Sequence, residues 1–258
     1  MENGGLANTK AERRYKKGEN PAYRPPAGKR FDGKGRYADT ESETEPEEEN
    51  GKIYTGVIFD NDRSQEFTEE ELLKLEEKLE AVEKLKNAPE PRVVTKISLP
   101  GTFTIYQQEN DWYCVPACVK SALKYITGAT YEQSKIAEDM GTIMAVGTES
   151  SKIAPYMDAM QNEYWYVRKD KPTKSSIELY TYNAVVTNKV PAFMCIINPL
   201  GEKWHYGTKG HCLIINAIYS DKSKVQFADP LGGTQQGWPY YYIKDTSFLS
   251  TVCENLVW

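Results

Sequence analysis

The spacing of apolar and polar residues changes twice along the chain and divides it into three parts. Residues 1–50 contain almost no aliphatic side chains but many charged residues, glycines and prolines. Such a composition cannot bury enough apolar surface to offset the entropy lost on folding, so we predict a disordered charged tail. Residues 51–100 contain one amphipathic stretch, and residues 101–258 combine helical with strand-like patterns. The last part is long enough to form one ordinary domain.

In the middle part, a short strand is predicted at residues 52–59, followed by a helix that begins at Thr68 and ends before Pro89. Glu71 lies three residues after Thr68 and completes a capping box. The helix carries an apolar stripe formed by Leu72, Leu75, Leu79 and Val82. An isolated helix of this length cannot support such a stripe in water, so we expect the N-terminal extension to dock on the C-terminal domain. A pro-segment that governs access to a cleft and a purely structural extension both fit the pattern.

The C-terminal part is first helical and then rich in strands. Periodicity predicts a helix that starts at Cys114 and ends near residue 126, and further helices at residues 130–139, 150–160 and 175–188. Thr130 and Gln133 are expected to form a capping box at the start of the second helix. Strands are predicted at residues 192–197, 211–219, 224–228 and 240–243. Helices that precede an antiparallel sheet are typical of an α+β domain. Its natural cleft lies between the first helix and the sheet.

A cysteine with an upstream glutamine begins the first of these helices. Cys114 precedes an apolar-periodic stretch that Gly128 closes, and Gln108 lies six residues before it. The positive end of the helix macrodipole favours a thiolate at this position. Pro116 fits the first turn, because the N–H that it lacks would have no partner there. Since the Gln108 amide can reach the place where an oxyanion would form, we interpret Cys114 as a nucleophile.

The chain offers two histidines as a general base. His211 begins a predicted buried strand, whereas His205 lies in the loop that precedes it. A histidine at the start of a rigid strand is held well enough to meet a thiol across a cleft, so we choose His211. His205 is interpreted as a loop residue, with substrate contact as the alternative. The next strand ends at Asp229, and the turn between the two strands predicts a hairpin that returns Asp229 beside His211.

Three runs of sequence resemble motifs of the peptidase C39-like group within the papain-like cysteine proteases. They are Tyr113-Cys114-Val115-Pro116-Ala117 with Gln108 upstream, Gly210-His211 before an apolar strand, and Ala228-Asp229-Pro230, in the same chain order. The resemblance covers roughly residues 101–258. It implies a papain-like fold, a Cys-His-Asp triad of Cys114, His211 and Asp229, and an oxyanion hole with Gln108. The group usually has glycine directly after the cysteine, and Val115 at this position is expected to narrow the cleft beside the thiol.

These residues predict a cysteine peptidase that acts on a peptide or protein substrate. The thiolate would attack a peptide carbonyl and form a thioester, which water hydrolyses. No metal or organic cofactor is needed for this chemistry. Two alternatives stay open. An acyltransferase or deamidase, such as a transglutaminase-like enzyme, would use the same residues with an acceptor other than water, and a catalytically silent peptide-binding module would keep the fold without turnover.

Charge, hydropathy and cysteine content restrict partners and compartment. The net charge of −5 argues against nucleic-acid binding, and no apolar run is long enough to span a membrane. The N-terminus lacks the apolar core of a signal peptide. We therefore expect a cytoplasmic protein, or a secreted or cell-surface protein whose leader has been removed.

All five cysteines lie in the C-terminal half. Those other than Cys114 are expected to be free buried thiols, with two disulfides as the alternative. A zinc site is not expected, because adjacent His211 and Cys212 would point to opposite faces of a strand.

Overall fold

The computed structural model describes residues 54–61, 65–233 and 238–258, so the predicted tail at residues 1–50 lies outside it. The strands are β1 (Tyr54–Thr55), β2 (Val57–Ile58), β3 (Lys96–Ser98), β4 (Thr148–Glu149), β5 (Arg168–Asp170), β6 (Ala192–Asn198), β7 (Thr208–Tyr219), β8 (Lys224–Ala228), β9 (Tyr241–Asp245) and β10 (Cys253–Val257). The helices are α1 (Glu69–Lys86), α2 (Cys114–Thr127), α3 (Gln133–Met140), α4 (Ile153–Met160), α5 (Lys174–Tyr182) and α6 (Thr246–Val252). A 3-10 turn, Ser150–Lys152, precedes α4, and a π-helical turn, Asn183–Thr187, follows α5.

One sheet forms the centre of the molecule, with the strand order β5-β10-β6-β7-β8-β9. These strands pair antiparallel, and β7 is the longest of them, with a run of buried residues along most of its length. Helix α2 packs against β7, and the hydrophobic core lies between them. The structure confirms the predicted α+β class, in which the helix that begins with the cysteine lies on an antiparallel sheet.

Two short strands of the N-terminal region extend the sheet at opposite ends of β7. Strand β3 pairs antiparallel with its last residues, and β1 pairs parallel with its first, Thr208 and Gly210. Strand β6 already pairs with β7 at Thr208 on one side. Because β8 reaches only to Ile214 on the other side, β1 occupies the edge of β7 that β8 leaves open.

The predicted helices and long strands are present, with differences at their ends and among the shortest elements. Helix α3 begins at Gln133 and has Glu132 as its N-cap without a side-chain bond, so the predicted start at Thr130 with a capping box is wrong. The Gln133 side chain is bonded to a neighbouring loop instead. Strands β3, β5 and β10 and helix α6 were not predicted, because stretches of three to seven residues carry too little periodicity to be recognised.

Helix α1 has the predicted capping box, in which Thr68 and Glu71 satisfy each other's backbone N–H groups. The predicted stripe is only partly correct. Val82 is buried and Leu75 packs partly against the core, but Leu72 and Leu79 are 47% and 41% exposed. Compared with the predicted stripe, the face of the helix that packs against the domain is rotated so that it includes Lys78 and Leu85. In the described ranges, neither α1 nor any other helix is long and apolar enough to cross a membrane.

Candidate active site

Cys114 is the first residue of helix α2, at the end of the helix that faces β7. Its N-cap, Tyr113, has backbone angles of −100° and 22° and makes no side-chain capping bond. Ala117 donates the first helical hydrogen bond, to the Tyr113 carbonyl at 2.9 Å, and Pro116 has no N–H to leave unpaired. Val115, the residue directly after the cysteine, is fully buried in the hydrophobic core. The thiol therefore lies at the positive end of a buried helix.

The hairpin of β7 and β8 brings His211 and Asp229 together. The distance between His211 Nε2 and Asp229 Oδ1 is 2.9 Å, and both side chains are almost completely buried. The imidazole is also close enough to the Cys114 thiol for that thiol to raise its pKa. Since Nε2 contacts Asp229, Nδ1 is the ring nitrogen left for the thiol. The three residues form one continuous chain of contacts from helix α2 to the end of β8.

Asp229 is bonded through both of its carboxylate oxygens. Oδ1 accepts a hydrogen bond from the Leu231 N–H at 2.8 Å in addition to the histidine contact. Oδ2 accepts from the Tyr206 hydroxyl at 2.6 Å and from the Tyr242 hydroxyl at 2.7 Å. Four donors around one buried carboxyl group favour the carboxylate over the neutral acid.

This arrangement shifts the pKa values of both partners toward their charged forms. Burial by itself raises the pKa of Asp229, but the nearby His211 and the hydrogen bonds from the imidazole and the tyrosines hold it below its usual value. Burial also lowers the pKa of His211, but the Asp229 carboxylate and the hydrogen bonds to Asp229 and Cys114 outweigh it and raise the value to about 9. The imidazole is therefore protonated at neutral pH.

Gln108 lies at the start of helix α2, although its side-chain amide does not point freely into a cleft. Its Nε2 donates to the Asn110 carbonyl at 2.7 Å, and the same carbonyl accepts from the Tyr113 N–H at 3.3 Å. Its Oε1 is buried without a hydrogen-bond partner among the described residues. The Gln108 N–H donates to the Pro230 carbonyl at 2.9 Å. The loop that carries Gln108 is therefore tied both to the helix and to the turn after Asp229.

Three residues support the site although the sequence did not indicate them. Tyr206 and Tyr242 hold Asp229, and Gln133 holds the backbone on both sides of Gln108. Gln133 Oε1 accepts from the Glu109 N–H at 3.1 Å, and its Nε2 donates to the Gln107 carbonyl at 2.7 Å. The sequence signal at Gln133 favoured a capping box, and tyrosines are frequent throughout this chain, so only the three-dimensional arrangement identifies these roles.

The remaining candidates lie outside this chain of contacts. His205 is exposed, with its ring edge-on to Tyr242 at 4.9 Å between centroids. Cys118 is fully buried and its thiol donates to the Cys212 carbonyl at 3.4 Å. All five cysteines are free and buried. In the described part of the chain, no group of three or more His, Cys, Asp or Glu side chains is arranged to hold a metal ion.

Comparison with known proteins places the chain in a family. Among solved structures it is similar to xylellain, a cysteine protease from Xylella fastidiosa, with 11% identity and a TM-score of 0.47 over 84% of this chain and 98% of that chain. A comparison with curated proteins finds no match. The model of the Peptidase_C39 like family matches residues 101–252. Because this match covers more than half of the chain, the protein belongs to the Peptidase_C39-like family of cysteine proteases.

Proposed function

We propose that the protein is a cysteine peptidase that hydrolyses peptide bonds with Cys114 as nucleophile. The observation that supports this most strongly is the buried His211 imidazole, which is bonded to the Asp229 carboxylate at 2.9 Å and whose pKa is raised by that carboxylate and by the neighbouring Cys114 thiol. A core cysteine would not need a histidine whose pKa is raised by a carboxylate. Family membership of residues 101–252 is in agreement with this function.

In the proposed mechanism, His211 and Cys114 exist as an imidazolium–thiolate pair, and Asp229 fixes the orientation and tautomer of the ring. The thiolate attacks the carbonyl carbon of the substrate, and the His211 proton passes to the leaving amine. Neutral His211 then takes a proton from water, and the resulting hydroxide attacks the thioester. The acid product leaves, and the imidazolium–thiolate pair is restored.

Two donors at the start of α2 are proposed to stabilise the tetrahedral oxyanion. One is the backbone N–H of Cys114, which lies in the first turn and has no helical carbonyl to bond. The other is the Gln108 side chain. Its amide group carries two hydrogens, and the bond to the Asn110 carbonyl uses one of them and sets the orientation of the other. This second hydrogen is the proposed contribution of Gln108 to the oxyanion hole.

Single substitutions of the four residues test this function with a fluorogenic peptide library or labelled casein. Cys114→Ala and His211→Ala should abolish turnover. Gln108→Ala should lower kcat by about 10²–10³ if the amide stabilises the oxyanion. Asp229→Ala should retain more activity than His211→Ala, because the base is still present. His205→Ala serves as the control, and loss of activity there with retention in His211→Ala would contradict the assignment.

The same assays separate the alternative functions. Incorporation of a labelled primary amine into a protein substrate, without peptide hydrolysis, would identify an acyltransferase. Release of ammonia from glutamine-containing substrates would identify a deamidase. A folded protein would be a silent binding module if neither the whole chain nor a chain that begins at Gln65 turns over these substrates and if Cys114 fails to react with iodoacetamide in both.

We further propose that residues 51–100 form an extension that docks on a catalytic domain of residues 101–258. Helix α1 supports this through Lys78, whose Nζ donates to the Trp165 carbonyl at 2.7 Å and to the Trp258 carbonyl at 2.8 Å. Phe67, just before the helix, contacts the Trp165 ring edge-on with 5.9 Å between centroids. Together with buried Val82, these contacts attach the helix to the part of the chain that carries the site.

A further inference from the structure

The first described residues, 54–58, form an extended segment that crosses the candidate site. Strand β1 runs parallel to the start of β7, with Tyr54 opposite Thr208 and Thr55 opposite Gly210. Strand β2 runs parallel to β4, with Val57 opposite Thr148. Gly56 lies between these two strands. The segment therefore bridges β7, which carries His211, and the loop that ends in β4.

At Gly56, the segment lies directly against the nucleophile. A Cβ atom built on Gly56 would be 2.5 Å from Cys114 Sγ, which is closer than real Cβ atoms approach, and 3.6 Å from the Trp112 carbonyl carbon. Gly56 is buried, and Cys114 is 0% exposed. Glycine is thus the residue that allows the backbone to pass over the thiol, and the passing backbone covers it.

Two further glycines, Gly147 just before β4 and Gly210 on β7, make room for the backbone of this segment from its two sides. A Cβ on Gly147, whose φ is +128°, would be 2.2 Å from the Gly56 carbonyl group, and a Cβ on Gly210 would be 2.4 Å from the Val57 carbonyl oxygen. Val57 itself is only 6% exposed and belongs to the hydrophobic core. The space between β4 and β7 therefore fits an extended peptide backbone closely, as in a groove that binds a peptide by strand addition.

We infer that the cleft between α2 and β7 is a binding groove for an extended peptide, and that residues 54–58 of this chain are its resident ligand, which closes off Cys114. The inference deepens the proposed function, since it takes Cys114 as the nucleophile. The open edge of β7 supplies backbone hydrogen bonds to the ligand on one side, and β4 supplies them on the other.

The resident segment is bound as an inhibitor rather than as a substrate at the Gly56–Val57 bond. For attack, the carbonyl oxygen must point to the donors at the start of α2. The Gly56 carbonyl instead accepts a hydrogen bond from the Thr148 N–H at 3.0 Å. The segment therefore covers the thiol while its carbonyl is held by β4.

An anchor follows directly after the segment. Asp60 Oδ1 accepts hydrogen bonds from the Ser150 hydroxyl and the Ser151 N–H, both at 3.1 Å, and forms an ion pair with Arg168 at 3.2 Å. The Arg168 side chain is 1% exposed. A buried ion pair with several hydrogen bonds is costly to break on one side, so Asp60 should hold the segment in the groove.

Thiol labelling of the full chain tests the inference. Iodoacetamide should alkylate Cys114 slowly in the unchanged protein, and about tenfold or more faster in Asp60→Asn, as measured by peptide mass spectrometry. Asp170→Asn is the matched control, because Asp170 contacts the same arginine at 2.8 Å but lies outside the segment. An equal rise in both variants, or no rise in folded Asp60→Asn, would overturn the inference.

A double-mutant cycle on thermal stability tests the Gly56–Cys114 contact without any chemistry. Gly56→Ala should lower the Tm of the protein by at least about 2–4 °C, because the new methyl group overlaps the sulfur. In a Cys114→Ala background the sulfur is absent, so the same change should lower the Tm much less. Equal losses in both backgrounds would overturn the inference. Because the cycle needs no turnover, it remains decisive even if the proposed peptidase activity is absent.

The intact mass of the incubated protein distinguishes a ligand from a substrate. A mass that stays unchanged over days at neutral pH supports an inhibitory segment. Cleavage between Gly56 and Val57 in the unchanged chain, but not in Cys114→Ala, would overturn the statement that the segment is bound unproductively.

Discussion

At the scale of single residues, the site depends on how Asp229 is kept ionised within the core. Its carboxylate has no solvent to stabilise it, and the hydroxyl groups of Tyr206 and Tyr242 replace water at Oδ2. An ionised Asp229 in turn raises the pKa of His211 to about 9 and so maintains the imidazolium. The two tyrosines thus favour the protonated histidine indirectly, because they keep Asp229 ionised.

This dependence predicts how acid affects Tyr242→Phe. Because the pKa of Asp229 is lowered in the folded protein, its contribution to stability is present above its unfolded pKa and is lost as the pH falls through the folded value. Removal of the Tyr242 hydroxyl raises the folded pKa, so the loss should begin at a higher pH. Urea unfolding from pH 3 to pH 7 would measure the shift.

Tyr241→Phe is the control for this substitution. Tyr241 is the neighbour of Tyr242 on β9, but its hydroxyl donates to the Phe103 carbonyl at 3.1 Å and does not contact Asp229. A similar acid shift in both variants would contradict the role of Tyr242. At the alkaline end, the His211 contribution is present below its unfolded pKa and is lost as the pH rises through about 9. Both variants should retain this alkaline loss.

The residues of the site differ in how far the sequence could predict them. The closeness of His211 to Asp229 could be predicted, because it follows from a hairpin with a short turn, which is a local property of the chain. The contacts of Tyr206 and Tyr242 with Asp229 depend on a loop and on the placement of β9 beside β8, which no local pattern specifies. Gly56 could not be connected with Cys114 from sequence, since 57 intervening residues include a helix and several loops.

At the scale of elements, helix α1 shows why an apolar stripe is an incomplete guide to a buried face. Leu72 and Leu79 belong to the stripe but remain exposed, whereas Lys78 lies over the rings of Tyr164 and Trp258 at 4.3 and 4.4 Å from their centroids. A lysine can bury its aliphatic stem when its amine reaches suitable partners. Here the partners are two backbone carbonyls and aromatic rings, and periodicity alone cannot indicate them.

Lys78→Met should therefore destabilise the docking of α1 although it adds an apolar side chain. The Trp165 carbonyl would lose the Lys78 donor, and the Trp258 carbonyl would keep only the Val167 N–H at 2.9 Å, at a cost of about 1–3 kcal/mol. Lys74→Met is the control, because Lys74 is 44% exposed and forms its ion pair with exposed Glu70 in the preceding turn. Its effect should stay within about 0.5 kcal/mol. Urea unfolding and amide hydrogen exchange of residues 69–86 would measure both, and equal effects would contradict the anchor role of Lys78.

At the scale of the whole molecule, β1 and β3, which come before and after helix α1 in the chain, both pair with β7. The same strand carries the candidate base, His211. β7 pairs with β1 at its start and with β3 at its end, and His211 follows Gly210 between them. The sequence predicted a short strand at residues 52–59 and a docked helix, but it did not indicate that β1 and β3 join the main sheet through β7. Strands of two or three residues have no periodicity of their own, and only their partner on β7 defines them.

Two shortened chains should separate the regulatory and the structural parts of the extension, which the sequence left open. A chain that begins at Gln65 lacks the segment over Cys114 and its Asp60 anchor but keeps α1. We expect faster labelling of Cys114 by iodoacetamide, and higher peptidase activity if the proposed function is correct, at a moderately lower Tm.

A chain that begins at Val93 also loses α1 and with it the side chains that cover Trp165 and Trp258. In this shorter chain, iodoacetamide should label Cys114 no faster than in the chain from Gln65, but the Tm should be lower still. Labelling that stays slow until α1 is removed would assign control of access to the helix and contradict the role given to residues 54–58.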